Sequence, residues 1–82
     1  MDYQNLLDFL KDGVSFDVSI GNETFHSVLY GAKLKTASET LIRFVGENMA
    51  ASISKHRINE IKIHDITADL NCMNNVYVTI KK

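Results

Sequence analysis

The sequence predicts a mainly β fold: a short N-terminal helix, then a small five-stranded barrel, then an extra C-terminal strand. Three observations carry that prediction. Tyr3, Leu6, Leu7 and Leu10 recur at the spacing that gathers side chains on one face of a helix. From Val14 onward the apolar residues recur at every second position in short runs, the period of a half-buried strand. Between those runs stand turn-forming groups, Gly21-Asn22-Glu23, Gly46-Glu47-Asn48 and Asn74-Asn75, and no proline breaks any of them.

The N-terminal helix has both ends marked, by Asp2 as a carboxylate for the first amides and by Gly13 as a left-handed terminator. Val14, Phe16, Val18 and Ile20 then alternate with Ser15, Asp17 and Ser19 as the first strand. The run from Thr24 to Lys35 returns as its hairpin partner. Within it Phe25 is out of phase with Val28, Tyr30, Ala32 and Leu34, which predicts a bulge near His26 to Ser27, with Gly31 easing the bend.

The stretch from Thr36 to His56 supports two readings. As strands, Thr40 to Val45 is rich in β-branched and aromatic residues, Gly46-Glu47-Asn48 turns, and Met49, Ala51 and Ile53 alternate with small polar neighbours. As a helix over about 37–55, Ala37, Leu41, Phe44, Val45, Met49 and Ile53 share a face, and Thr36 with Glu39 forms a capping box. The first reading gives the barrel, the second an α+β domain of order αββαββ. Ile58, Ile61 and Ile63 make a further strand, and Val76, Val78 and Ile80 a last one, whose Val76-Tyr77-Val78 segment is expected at a sheet margin.

The chain's 82 residues, 45% of them apolar, bound it to a single domain, residues 1–82, with one modest core. A core that small is marginal alone, which points to a homo-oligomer. Cys72 is the one cysteine, so no internal disulfide forms, and it reads as a small apolar core or interface residue. No apolar run approaches the roughly 20 residues of a bilayer span, and no secretory leader is legible, so no membrane partner and a cytoplasmic location are expected. The sequence lacks Gly-x-Ser-x-Gly, a phosphate loop and paired catalytic carboxylates; no enzyme activity and no cofactor are expected. His26, His56, His64, Asp65 and Cys72 match no zinc spacing, so no metal site is expected.

Lys55-His56-Arg57 places three donors at one strand junction, a pattern suited to phosphate contacts. The net charge of −1 lacks the cationic excess usual for nucleic-acid binding, but the charges segregate. Lys33, Lys35, Arg43, Lys55, Arg57 and Lys62 fall in the middle of the chain, while Asp2, Asp8, Asp12 and Asp17 crowd its start.

Lys55-His56-Arg57-Ile58 resembles the Lys-His-x-Ile segment between the fourth and fifth strands of Hfq, the bacterial Sm-like RNA chaperone family, and Asn5-Leu6-Leu7 is similar to that family's N-terminal helix. The resemblance covers roughly residues 3–64. It implies a small Sm/SH3-like barrel that assembles into a ring and binds single-stranded, uridine-rich RNA with a Lys and a His at the inner rim, here Lys55 and His56. It further implies an aromatic base platform early in the third strand, where the nearest match is Leu41 with Phe44 three residues later, so that Phe44 or Tyr30 is the candidate stacking surface. A glutamine near the helix start touches RNA in that family, and Gln4 is close to that position. The alternative function is a small protein-interaction, oligomerisation or inhibitor domain with no nucleic-acid role, which goes with the α+β reading and a protein partner.

Overall fold

The computed structural model describes residues 3–82, so the expected cap at Asp2 lies outside the described residues. Helix α1 spans Tyr3–Lys11 and packs against the strand Ile58–His64. Tyr3, Leu6, Phe9 and Leu10 are its buried residues, one face of a helix as the spacing requires. Gly13 does not end the helix in a left-handed conformation. Its own amide donates to Leu10 O at 3.2 Å, and a Cβ there would run into the Phe16 ring. Close approach, not positive φ, is what demands glycine at this position.

Seven strands follow: β1 Phe16–Gly21, β2 His26–Ala37, β3 Leu41–Val45, β4 Ala50–Ser54, β5 Ile58–His64, β6 Thr67–Cys72 and β7 Val76–Lys81. They form one antiparallel sheet in the order β4-β3-β2-β1-β7-β6-β5. The sheet curls so far that Ile53 of β4 and Val78 of β7 line the same cleft. The core inside the curl holds Leu6, Leu10, Phe16, Val18, Ile42, Phe44, Leu70 and Ile80, each with less than 2% of its surface exposed.

Of the two readings of residues 36–56 the strand reading holds, and the helix alternative is the first of several expectations that the structure corrects. Residues 37–55 do not form a helix: β3 and β4 pair in register from Leu41 with Ser54 to Val45 with Ala50, and Gly46 sits in their turn, donating to Met49 O at 2.7 Å. Glycine weakens a helix interior and is at home in that turn, so the local preference and the tertiary pairing agree.

Second, there are seven strands instead of five plus one. The unanticipated strand is β6, whose Ala68 and Leu70 are buried between exposed Asp69 and Asn71. A five-stranded barrel would close by pairing the strand after Lys55–Arg57 with β1. Here β7 holds that place, and β5 lies two strands further out.

Third, Val76-Tyr77-Val78 is not marginal, because β7 pairs with β1 on one side and β6 on the other. The sheet's free margins are β4 and β5.

The bend in β2 is displaced from its expected site. The register slips between Val18 opposite Leu29 and Phe16 opposite Ala32, which places the extra residue at Tyr30-Gly31. Gly31 has φ +61°, and its amide donates to Asp17 Oδ1 at 3.0 Å. The β1–β2 turn is held differently from a glycine turn: Asn22 Oδ1 accepts from the amides of Thr24 at 2.8 Å and Phe25 at 3.1 Å. No described helix is long and apolar enough to cross a membrane.

Candidate nucleic-acid interface

Lys55, His56 and Arg57 form a single 3₁₀ turn that joins β4 to β5, and all three are exposed. The turn is tied down at both ends. The Lys55 amide donates to Thr40 O at 2.9 Å, and buried Ile58 closes the turn by donating its amide to Lys55 O. Beneath it lies Tyr3, 5% exposed, with its hydroxyl donating to Ser38 O at 2.9 Å. The Lys55 Nζ stands 5.3 Å from the centroid of that ring, within cation–π range. Burial pushes the Tyr3 phenol above its usual value, so Tyr3 presents a neutral ring to the ammonium across the physiological range.

Among the described residues no carboxylate pairs with any of these three side chains; the ion pair present is Lys62 with Glu60 at 3.7 Å. Their charge is therefore directed at solvent. Arg57 also borders a cleft of 190 Å³ between the margin of β4 and the second 3₁₀ turn, Met73–Asn75. Ile20, Ile53, Val76 and Val78 contribute its apolar lining, and Ser52, Ser54 and Asn74 add polar groups.

The remaining predicted site residues are scattered. Phe44 is fully buried, and its ring meets that of Phe16 edge-on at 5.4 Å between centroids. It is a core residue and has no face to offer a base; its position on the inward side of β3 decides this. Tyr30 is 78% exposed, but it borders a depression with Gly46, Glu47, Asn48 and Met49, at the end of β4 opposite the cationic turn. Gln4 is exposed on α1, where its Nε2 donates to Asp8 Oδ1 at 3.1 Å. Tyr3, the residue that seats the cationic turn, was legible only as a helix core position.

Burial raises the Cys72 thiol above its usual value, which disfavours the nucleophilic thiolate. Among the described residues no three or more His, Cys, Asp or Glu side chains are placed to hold a metal ion. Comparison with protein-family models, with curated proteins and with solved structures finds no match to this chain.

Proposed function

We infer that this chain is a non-enzymatic, Sm-like subunit that associates with copies of itself and binds single-stranded RNA. One observation carries the reading: three consecutive exposed donors, the cations Lys55 and Arg57 with His56 between them, unpaired among the described residues, stand on a braced turn between the two free margins of the sheet. Lys55 and Arg57 hold phosphates, and His56 adds a donor for a base edge or sugar hydroxyl. Association of subunits places several such turns along one strand and raises a weak electrostatic contact to a useful affinity.

Light scattering coupled to size exclusion, without and with a short uridine-rich RNA, tests this reading. An oligomer whose mass rises with RNA, and which loses that response when Lys55, His56 and Arg57 are replaced by Ala, is the expected result. A monomer indifferent to RNA refutes it and leaves the turn as a solvated junction.

A second reading, a module that binds a protein partner, is favoured by the apolar cleft beside β4. RNA-independent saturation of that cleft by a peptide would support it.

A further inference from the structure

The curl of the sheet stops short of closure, and the gap beside β4 is the cleft that Arg57 borders. Its floor is the inward side of β1 and β7, where Ile20 and Val78 are register partners and Val76 lies two residues further along. Ile53 of β4 and Cys72 of β6 form its sides. Ile20, Cys72 and Val76 are only partly buried, so the apolar core of the domain continues into the cleft without a cover of its own.

The rims are polar. The β3–β4 ladder is pinned by Gly46 donating to Met49 O at 2.7 Å and by Lys55 donating to Thr40 O at 2.9 Å. Alternation between these points turns the backbone groups of Ala51 and Ile53 toward β3 and the amides of Ser52 and Ser54 away from it, on the side of the cleft. Across from them is Asn74, held at φ +62° in the β6–β7 turn, a conformation that asparagine tolerates. Among the described residues that line the cleft, Arg57 alone carries a charge, and no carboxylate pairs with it. Apolar floor and cationic rim thus offer separate parts of one site to an apolar body and an anionic head.

Volume sets the size of the occupant. The cleft holds 190 Å³. That exceeds the roughly 150 Å³ of a dry apolar cavity able to take up benzene, and it falls short of the roughly 300 Å³ at which sites for drug-sized ligands begin. The wall facing β4 is the chain's own Cys72 to Asn74, so the space is that of one ring or one side chain, not of a further strand.

We propose that this cleft binds a small apolar monocarboxylate. Its body, about the size of one benzene ring, rests on Ile20, Ile53, Val76 and Val78, and its carboxylate meets the Arg57 guanidinium, with the outward amides of Ser52 and Ser54 as further donors. A neutral ligand of the same shape leaves the guanidinium unmatched, and a cationic one opposes it. The inference does not rest on the RNA reading, although Arg57 serves in both, and filling the cleft separates them.

Cys72 is the chain's one cysteine and lines the cleft, which supplies a direct readout. The rate of its alkylation by iodoacetamide is followed on the full chain with increasing phenylacetate, and with phenylacetamide as the neutral probe of the same shape. Phenylacetate is expected to slow alkylation saturably, half-maximally at about millimolar concentration or below for so small a ligand. It should also shift the methyl resonances of Ile53 and Val78. Phenylacetamide should need a concentration roughly tenfold higher. Arg57→Gln should abolish the difference between the two probes. Val76→Phe fills the cleft, so the methyl resonances should cease to respond to phenylacetate while the response to uridine-rich RNA persists. Should that variant fail to fold, the probe pair and the exposed Arg57 position keep the test decisive.

Protection that does not saturate by about 10 mM, equal protection by acid and amide, or an acid preference that survives Arg57→Gln overturns the proposal. So does a peptide that protects Cys72 where phenylacetate does not, which assigns the cleft to a protein partner. RNA binding by a chain whose Cys72 phenylacetate leaves unprotected sustains the RNA contact and removes this site. Acid binding without RNA affinity sustains the site and removes the RNA contact.

Discussion

The Lys55 ammonium lies 5.3 Å from the centre of the Tyr3 ring, which couples the first helical residue described to a cation fifty-two positions later. The contact fixes the helix over the junction of β4 and β5, because the Tyr3 hydroxyl is held in turn by Ser38 O at 2.9 Å. Tyr3→Phe keeps the ring and loses that hydrogen bond, with an expected cost of about 1 kcal/mol in urea denaturation. Tyr3→Leu loses the ring as well. Backbone relaxation measurements on Lys55, His56 and Arg57 should then show greater mobility than in the phenylalanine variant, and equal mobility in both would show that the ring does not seat the turn.

Phe44 discriminates packing from recognition. Truncation to Ala opens a cavity against Phe16 and costs about 3–5 kcal/mol, measured as loss of unfolding free energy. Phe44→Leu fills most of the space and should leave RNA affinity unchanged. A drop in affinity for a folded Phe44→Leu protein would contradict the buried placement.

Gly31 and Gly13 are required for different reasons, and substitution separates them. At Gly31, with φ +61° and nothing within 4 Å of an added Cβ, alanine brings only backbone strain, about 1–2 kcal/mol. At Gly13 the Phe16 ring must move, so alanine there disturbs the core and should destabilise more than at Gly31. Thermal melts of the two alanine variants test the order.

Stability should fall in alkaline solution. Burial raises both the Cys72 thiol and the Tyr3 phenol, from ordinary values of 9.0 and 10.0, so each loses its proton more readily in the unfolded chain. Above pH 9 the unfolded state therefore binds fewer protons than the folded one, and unfolding free energy declines as pH rises. The contribution is intact below the unfolded value and lost as pH climbs through the folded value. Cys72→Ser should flatten the lower part of that decline in denaturant titrations at successive pH values.

RNA affinity should fall with salt. For single strands the logarithmic slope changes by about 0.7 for each phosphate contact removed, so Lys55→Ala and Arg57→Ala should each flatten it by about that amount. An unaltered slope in both variants would mean that the turn touches no phosphate.

Much of the architecture was legible because it follows from local periodicity. The helical stripe of Tyr3, Leu6 and Leu10 and the alternation of Phe16, Val18 and Ile20 report which face each element buries, with Ile20 buried only in part, whereas Val14, read as the start of that alternation, precedes β1 and is exposed. Strand β6 escaped notice because Asp65, Thr67, Asp69 and Asn71 give its stretch a polar look. The buried partners between them are a small alanine and a single leucine, Ala68 and Leu70. The helix alternative over 37–55 persisted because Leu41, Phe44, Val45 and Met49 satisfy a helical face as well as they satisfy two short strands. Only pairing with β2 distinguishes the two, and pairing is not a local property.

The candidate site divides the same way. Three donors at one strand junction could be read directly, since neighbours in sequence remain neighbours in a turn. That Phe44 points inward, that Tyr3 lies under Lys55 and that Tyr30 stands at the far end of β4 could not, because each depends on the curl of the sheet.

By itself, then, the sequence determined a short amphipathic helix, a set of β-strands and a cationic junction, all consequences of spacing along the chain. Tertiary structure alone decided that β7 takes the place beside β1 and that β4 and β5 are left as margins. Strand order depends on which hydrogen-bonding edges meet across long separations in sequence, while the apolar alternation that forms each strand is compatible with several partners.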